Sequence, residues 1–565
     1  MPYKYLLLPL LLWSVLYTLS MAQSPTASLE SRADSIFAEV NRSDSPGASV
    51  AVFRDGEIIF SKGYGAANLE YDVPITPETI FHVASVSKQF TAFGAVLLAQ
   101  QGKLSLDDDI RKHVPEMPDF GKPITIRHLI HHTSGLRDQW DLLAIAGWRL
   151  DDVITREHIL KMFQNQQELN FEPGAEHVYC NTGYTLLAEI IARVSGKTFP
   201  EFMREQVFEP LGMKNTFFYD DHERVVKGRA YSYYPGGEGG FRKAVLSYAN
   251  AGATSLFTTA EDLTLWLANL GTGRVGGRTA VDQMMERGVL NSGDTLSYAF
   301  GLIIGNYKGL KMVGHGGGDA GYRSDVVFFP EAKAGIVVLS NLASLFPQQK
   351  TLALADLFLA DVLKNEASRS PAPVSADTVE VAIDPAIFDD YAGEYSLDAA
   401  PTFIMSFSRK DGRFFIKPTG QPEFELFASS DSTFFLKVVD AQVTFHRDAD
   451  GRVSSLTLLQ NGPNKARRLD RGTEPTPEEL AAFVGRYYSP ELETSYVVML
   501  EEGKLKVRHQ RHSDFGLSYL AKDRFTGDAW FFGDARFERD SSGNITTMRV
   551  STGRVRNVRF EKVAF

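Results

Sequence analysis

Two apolar-rich runs, Ser49–Phe53 and Glu57–Lys62, flank Asp55-Gly56. That dipeptide between strand-like segments signals a two-residue β-hairpin. A helical stretch near Ser28–Arg42 precedes it, and from Phe81 to about Leu270 the apolar positions fall mainly at helical spacing. Strand character then returns at Tyr298–Gly305, Leu310–His315, Tyr322–Pro330 and Gly335–Ser340. Short runs with tight connections predict an antiparallel meander, closed by a helix near Lys350–Leu363. Strands at both ends with helices between predict one α/β domain whose first and last segments share a sheet.

Residues 366–384 are rich in Ser, Pro, Ala and Asp and read as a linker. Beyond them the pattern shortens to alternating strands with many turns, and it repeats. Tyr391, Gly393 and Tyr395 recur as Phe483, Gly485 and Tyr487. Phe445-x-Arg447-Asp448-x-x-Gly451 recurs as Phe537-x-Arg539-Asp540-x-x-Gly543, every offset being 92 residues. A unit of that size with many short strands predicts a barrel or sandwich of its own, with the repeated aromatics in its core. Thr473–Glu479, with two prolines, marks the joint. The expected organisation is therefore a domain over 23–365, the linker, and two small all-β domains over 385–471 and 478–565.

Composition narrows the function classes. The chain has 565 residues, 44% hydrophobic and 23% charged, ordinary values for globular domains. Its net charge of −11 gives no general electrostatic claim on nucleic acid or anionic lipid. One cysteine, Cys180, excludes an internal disulfide framework and a thiolate metal cluster. At the N-terminus Lys4, the apolar run Leu6–Leu16 and Ser20-Met21-Ala22 read as a cleaved signal peptide over residues 1–22. The apolar run is short for a membrane anchor. Export without a stable membrane anchor follows, with a bacterial periplasm as the favoured compartment.

Three places carry chemistry. Ser85-Val86-Ser87-Lys88 opens a helical pattern, so Ser85 is expected at the helix N-terminus with Lys88 one turn on and on the same face. A serine hydroxyl needs a base within reach, and a desolvated lysine is one. Taken alone, such a pair also reads as a capping serine beside a surface lysine. Tyr179-Cys180-Asn181 puts a phenol and a carboxamide two residues apart, pointing the same way in extended chain. Gly314-His315-Gly316-Gly317-Gly318 ends a predicted strand, and its glycines allow close backbone approach to a ligand or simply a turn.

The three in this order resemble the penicillin-recognising serine hydrolases: class C β-lactamases, D-alanyl-D-alanine carboxypeptidases, D-aminopeptidases and related esterases. The stretches Ile124–Leu136, Glu172–Gly174, Ala253–Ala260 and Gly321–Ser324 strengthen the likeness, which spans about residues 30–365. The resemblance implies an α/β fold of an antiparallel sheet flanked by helices plus an all-helical subdomain. It implies Ser85 as the acylated nucleophile, Lys88 and Tyr179 as the proton-handling pair, and Asn181, His315 and Gly317 as substrate-binding. The backbone N–H groups of Ser85 and Gly318 would form the oxyanion hole. Which of Lys88 and Tyr179 is the base stays open. No metal or other cofactor is required. The two repeats resemble the lipocalin-like barrels that follow the catalytic domain in some D-aminopeptidase-like serine peptidases.

The departures bear on substrate. His315 stands where β-lactamases and carboxypeptidases usually carry lysine, and histidine is largely neutral at pH 7. The absence of S-D-N and K-T-G argues against the class A branch. His128, His131 and His132 have helix-compatible spacing without a completing acid or cysteine, so they read as structural rather than zinc-binding. His509 and His512, between arginines, read as surface charge. The expected function is an exported hydrolase of small amides, peptides or esters, leaning towards D-aminopeptidase chemistry. The alternatives are a carboxylesterase, a weak β-lactamase or carboxypeptidase, or a catalytically retired envelope peptide-binding protein.

Overall fold

Asp55 and Gly56 have φ of 53° and 90°, the left-handed backbone that a tight hairpin requires. They join β1 (Ala48–Arg54) to β2 (Glu57–Tyr64). The computed structural model describes residues 28–364, 380–398, 403–439, 441–460 and 463–564. The expected signal segment and most of the linker lie outside these residues. The hairpin joins β3 (Ile303–Tyr307), β4 (Leu310–Asp319), β5 (Tyr322–Phe329) and β6 (Ala334–Ser340) in one antiparallel sheet of order β3-β4-β5-β6-β1-β2. β1 pairs with β6 from Ala48↔Ser340 to Arg54↔Ala334, so the two ends of the domain do share a sheet.

Period-two alternation sorts the sheet residues onto two covered faces. Val50, Val52, Ile336 and Val338 pack towards α1 (Leu29–Ile36) and α5 (Pro347–Phe358). Ala51, Phe53, Val337 and Leu339 pack towards α4 (Ala260–Thr272) and the helical region. That region contains α2 (Ser87–Gln100), buried from Ser87 to Leu98, and α3 (Asn181–Ser195). A helix buried on every side belongs inside a core, and α2 carries Lys88, with Ser85 in the turn just before it.

Three sequence expectations shift. The first helix ends at Ile36 instead of reaching Arg42. Tyr298–Phe300 is not strand; Gly301, at φ 68°, turns the chain before β3 begins. β4 runs on through Gly316, Gly317 and Gly318, none of which has positive φ, so these glycines are strand and not turn.

Each repeat closes into an eight-stranded barrel with strands in sequence order. The first runs from Gly393–Leu397 to Pro463–Arg468 and the second from Gly485–Ser489 to Val555–Val563. The repeated residues do the same work in both. Tyr395 and Tyr487 are fully buried and donate to the carbonyls of Tyr391 (3.0 Å) and Phe483 (2.8 Å). Arg447 and Arg539 donate to the carbonyls of Gly451 (2.9 Å) and Gly543 (2.8 Å), closing turns in which both glycines have positive φ.

The barrels differ in how they attach. The first has a separate core. The core of the second is continuous with that of the first domain. Arg137 Nη1 lies 2.7 Å from both carboxylate oxygens of Glu491, with both side chains almost completely buried. Tyr496 and His512 donate to the carbonyls of Ile145 and Ala144, each at 2.8 Å. His509 is buried against Gly147, where any side chain would collide with its ring. The reading of His509 and His512 as surface charge is thus overturned: the edge of the His509 ring meets Gly147 and His512 Nε2 meets the Ala144 carbonyl, both in the first domain.

Candidate active site

Ser85 lies in a 3₁₀ turn, Ala84–Val86, that runs directly into α2. Ala84 takes φ 48°, and Ser87 Oγ clamps the turn by donating to the Ala84 carbonyl (2.5 Å) and accepting from Leu256 N (3.0 Å). Lys88, one turn on, is fully buried. Its ammonium nitrogen donates to Ser85 Oγ at 3.1 Å, Asn181 Oδ1 at 2.8 Å and the Ala253 carbonyl at 2.8 Å. Burial pulls its pKa down to about 7; Asp138 opposes this and Arg554 reinforces it.

Tyr179 reaches the same point from the loop before α3, with Lys88 Nζ 4.7 Å from its ring centroid. Burial pushes the phenol well above its ordinary value, against the pull of Ser85 and Arg554. At neutral pH the pair is therefore a phenol beside an amine that is partly unprotonated. Asn181 opens α3, and its N–H and Nδ2 both donate to Asp138 Oδ2, at 2.6 and 2.8 Å. That fixes its carbonyl oxygen on Lys88. Cys180, between them, is buried with Sγ 3.4 Å from the Leu136 carbonyl.

β4 closes the cleft. A Cβ on Gly317 would lie 2.3 Å from the Val83 carbonyl and 3.1 Å from Ser85 N, so only glycine lets the strand approach Ser85. Gly318 lines the cleft with Ser85, Tyr179 and Asn181. His315 does not. It is turned inward, with Nε2 3.1 Å from the Tyr298 hydroxyl and its ring 6.1 Å from that of Tyr179. Burial, then Lys88, pull its pKa down to about 4, so it is neutral. A substrate-binding His315 is replaced by one that backs Tyr179. Consequently His315→Lys is expected to lower the unfolding free energy by roughly 2–4 kcal/mol, because it buries an amine beside a second one. An unchanged urea midpoint would contradict this placement.

Of the other histidines, His132 Nδ1 accepts from Cys180 N at 3.1 Å and His131 packs edge-on against Phe300. His132, whose ring centroid lies 4.2 Å from that of Tyr179, supports the loop that holds it. Two site residues escaped the sequence reading. Asp138 is buried at the start of the helix Gln139–Ile145 and orients Asn181. Arg554 comes from the last hairpin of the second barrel, its guanidinium 5.7 Å from the Tyr179 ring centroid and 3.6 Å from Asp138 Oδ2. Its backbone N–H donates to Asp141 Oδ2 at 3.0 Å, and its carbonyl accepts from Asp138 N at 3.3 Å. Asp138 follows the Thr133-Ser-Gly-Leu136 stretch and had a local signal; Arg554 had none.

Comparison with known proteins gives the family. The beta-lactamase family model matches residues 33–360. A model described only as a domain of unknown function, DUF3471, matches residues 377–467, the first barrel. The chain is similar to penicillin-binding protein 4* of Bacillus subtilis, 28% identical over 73% of this chain and 93% of that one. It is also similar to a D-aminopeptidase of Brucella anthropi, 25% identical over 92% of this chain and 95% of that one. Among solved structures, an octameric penicillin-binding protein homologue from Pyrococcus abyssi superposes with a TM-score of 0.53 at 25% identity, covering 78% of this chain and 99% of that one. A serine hydrogen-bonded to a buried lysine under a glycine strand, on a chain matched by that family over more than half its length, has one reading: the protein belongs to the beta-lactamase family and is a serine hydrolase.

Proposed function

We propose that this is an exported hydrolase that cleaves small amides, peptides or esters through an acyl-Ser85 intermediate, with D-amino-acid amides or peptides as its leading substrates. The observation that carries the reading is the 3.1 Å bond between Lys88 Nζ and Ser85 Oγ, with Lys88 wholly buried. The neutral amine takes the Ser85 proton as Oγ bonds to the substrate carbonyl carbon. The backbone N–H groups of Ser85 and Gly318 then receive the oxyanion. Collapse breaks the carbonyl–nitrogen or carbonyl–oxygen bond, and the leaving group departs with a proton relayed through Lys88 and Tyr179. Water enters, loses a proton to the same pair and releases the acid, restoring Ser85.

The D-aminopeptidase leaning draws support from the relative that aligns along nearly the whole chain, barrels included. The neutral, inward His315 supports it too, since no cation stands there for a β-lactam carboxylate. Export rests on the residues before Ala22. The test is nitroaniline release from D-alanyl and L-alanyl p-nitroanilide by the mature protein, with Ser85→Ala alongside. Cleavage of the D form that disappears in the variant supports the proposal; activity surviving in Ser85→Ala would end it.

A pH profile follows. The base must be unprotonated, and Lys88 titrates at about 7. Protonation below that value removes the base, so kcat/KM is expected to fall about tenfold per pH unit on the acid side. A profile flat down to about pH 5 would rule Lys88 out as the base.

A further inference from the structure

The cavity over Ser85 measures about 870 Å³ and is lined by four basic residues, Arg242, Lys243, Arg323 and Arg554, and three acidic ones, Asp141, Asp151 and Asp319. The near balance conceals a difference in engagement. Asp319 Oδ2 accepts from Thr254 Oγ1 at 2.8 Å and lies 3.3 Å from His82 Nε2. Asp151 is paired with Arg149, and Asp141 accepts the Arg554 backbone N–H. The acids are spent on the protein itself.

The bases are not. Arg323 donates to the Tyr322 carbonyl and, like Arg242, meets no carboxylate within 4 Å among the described residues. Lys243 has Glu70 at 3.8 Å. The Arg554 guanidinium makes no hydrogen bond among the described residues. Its carboxylate neighbours are Asp138, whose Oδ2 lies at 3.6 Å and already accepts two hydrogen bonds from Asn181, and Asp141, which acts on it from farther away. Five N–H donors in a fixed fork, half withdrawn from water, suit a carboxylate bidentately. Two of these cations, neither hydrogen-bonded to a carboxylate among the described residues, line the cavity with Ser85. Arg554 stands beside Tyr179, and Arg323 pairs across the sheet with Gly318.

We infer that the substrate carries an anionic group, a carboxylate, that Arg554 of the second barrel reads as it docks over Ser85. This rests on the hydrolase reading above and adds a substrate class to it. The barrel thereby contributes a specificity-determining residue, supplied by a different domain from the one that holds the nucleophile.

Two substrate pairs test this, one with the charge on each half of the scissile bond: mono-4-nitrophenyl glutarate against 4-nitrophenyl butyrate, and D-alanyl-4-aminobenzoate against D-alanyl anilide. The readout is the ratio of kcat/KM within a pair, so any misfolded fraction of a variant cancels. Arg554→Gln is expected to lower the ratio of charged to neutral substrate at least about tenfold in one pair, the size of one charge-assisted contact. Arg554→Lys should restore part of it. The pair that responds identifies which half bears the carboxylate. Ratios within about twofold of wild type in both pairs overturn the inference while leaving the hydrolase intact. Failure of a fluorophosphonate to label Ser85, with no Ser85-dependent turnover of any probe, overturns the hydrolase reading and this one with it.

Discussion

Lys88→Met is expected to cut kcat/KM by about 10²–10⁴-fold, the usual worth of a positioned proton acceptor, with the chain still folded. The side chains have similar length, so the loss is chemical. Removing the amine takes away the proposed acceptor of the Ser85 proton, which lies 3.1 Å from Oγ. Stability is pulled both ways. Burying an amine out of water is costly, and the substitution relieves that. It also strands Asn181 Oδ1 and the Ala253 carbonyl, each of which accepts from Lys88 at 2.8 Å, at about 1–3 kcal/mol per orphaned acceptor. Asn181 keeps both donors on Asp138, so its placement survives. The loss should appear in kcat, because the proton moves in the transition state. The rate of Ser85 labelling by a fluorophosphonate should fall in parallel. A variant keeping more than about a tenth of wild-type kcat/KM would remove Lys88 from the base role and return attention to Tyr179.

Glu491→Ala should have the largest effect on stability, lowering the unfolding free energy by about 3–5 kcal/mol, the loss expected when one partner of a buried ion pair is removed. Arg137 is 1% and Glu491 3% exposed. The arginine's other donors go to the Arg556 carbonyl, at 3.1 and 2.9 Å, leaving Glu168 at 3.6 Å as its remaining carboxylate. The damage should also reach catalysis, since Arg137 immediately precedes the Asp138 that holds Asn181. An exposed pair at the same interface is the control. Lys161 and Glu493 meet at 2.6 Å with both side chains more than half exposed, and Glu493→Ala should leave the denaturation midpoint where it is. Equal midpoints for Glu491→Ala and wild type would mean that the second barrel is not anchored through this pair.

Much of the site was legible because its chemistry is local. Ser85 and Lys88 sit one helical turn apart, and Tyr179 and Asn181 two residues apart, so short-range periodicity places each pair. The sheet was legible for the same reason, through Asp55-Gly56 and the meander after Tyr298. What sequence could not supply was direction in three dimensions. His315 occupies the expected register and shares a strand face with Gly317, yet its contact with the Tyr298 hydroxyl holds it behind Tyr179 and out of the cleft. Gly316–Gly318 have the composition of a turn, yet they serve as strand because the Ser85 turn presses against them. His509 and His512 sit between arginines like exposed residues, and only the docking of a whole barrel buries them. Arg554 lies in an ordinary hairpin, and nothing near it in the chain announces the cleft it enters.

That last placement has a consequence in time. Ser85, Lys88, Tyr179 and Asn181 all belong to the first part of the chain to be made, whereas the hairpin bearing Arg554 depends on the final strand pair, Ile545–Thr552 with Val555–Val563. A ribosome releases the catalytic four long before the wall that finishes their pocket. The order of synthesis thus places the barrel-borne cation of the cleft after Ser85 and Lys88, and Arg554 takes its position only when the second barrel docks.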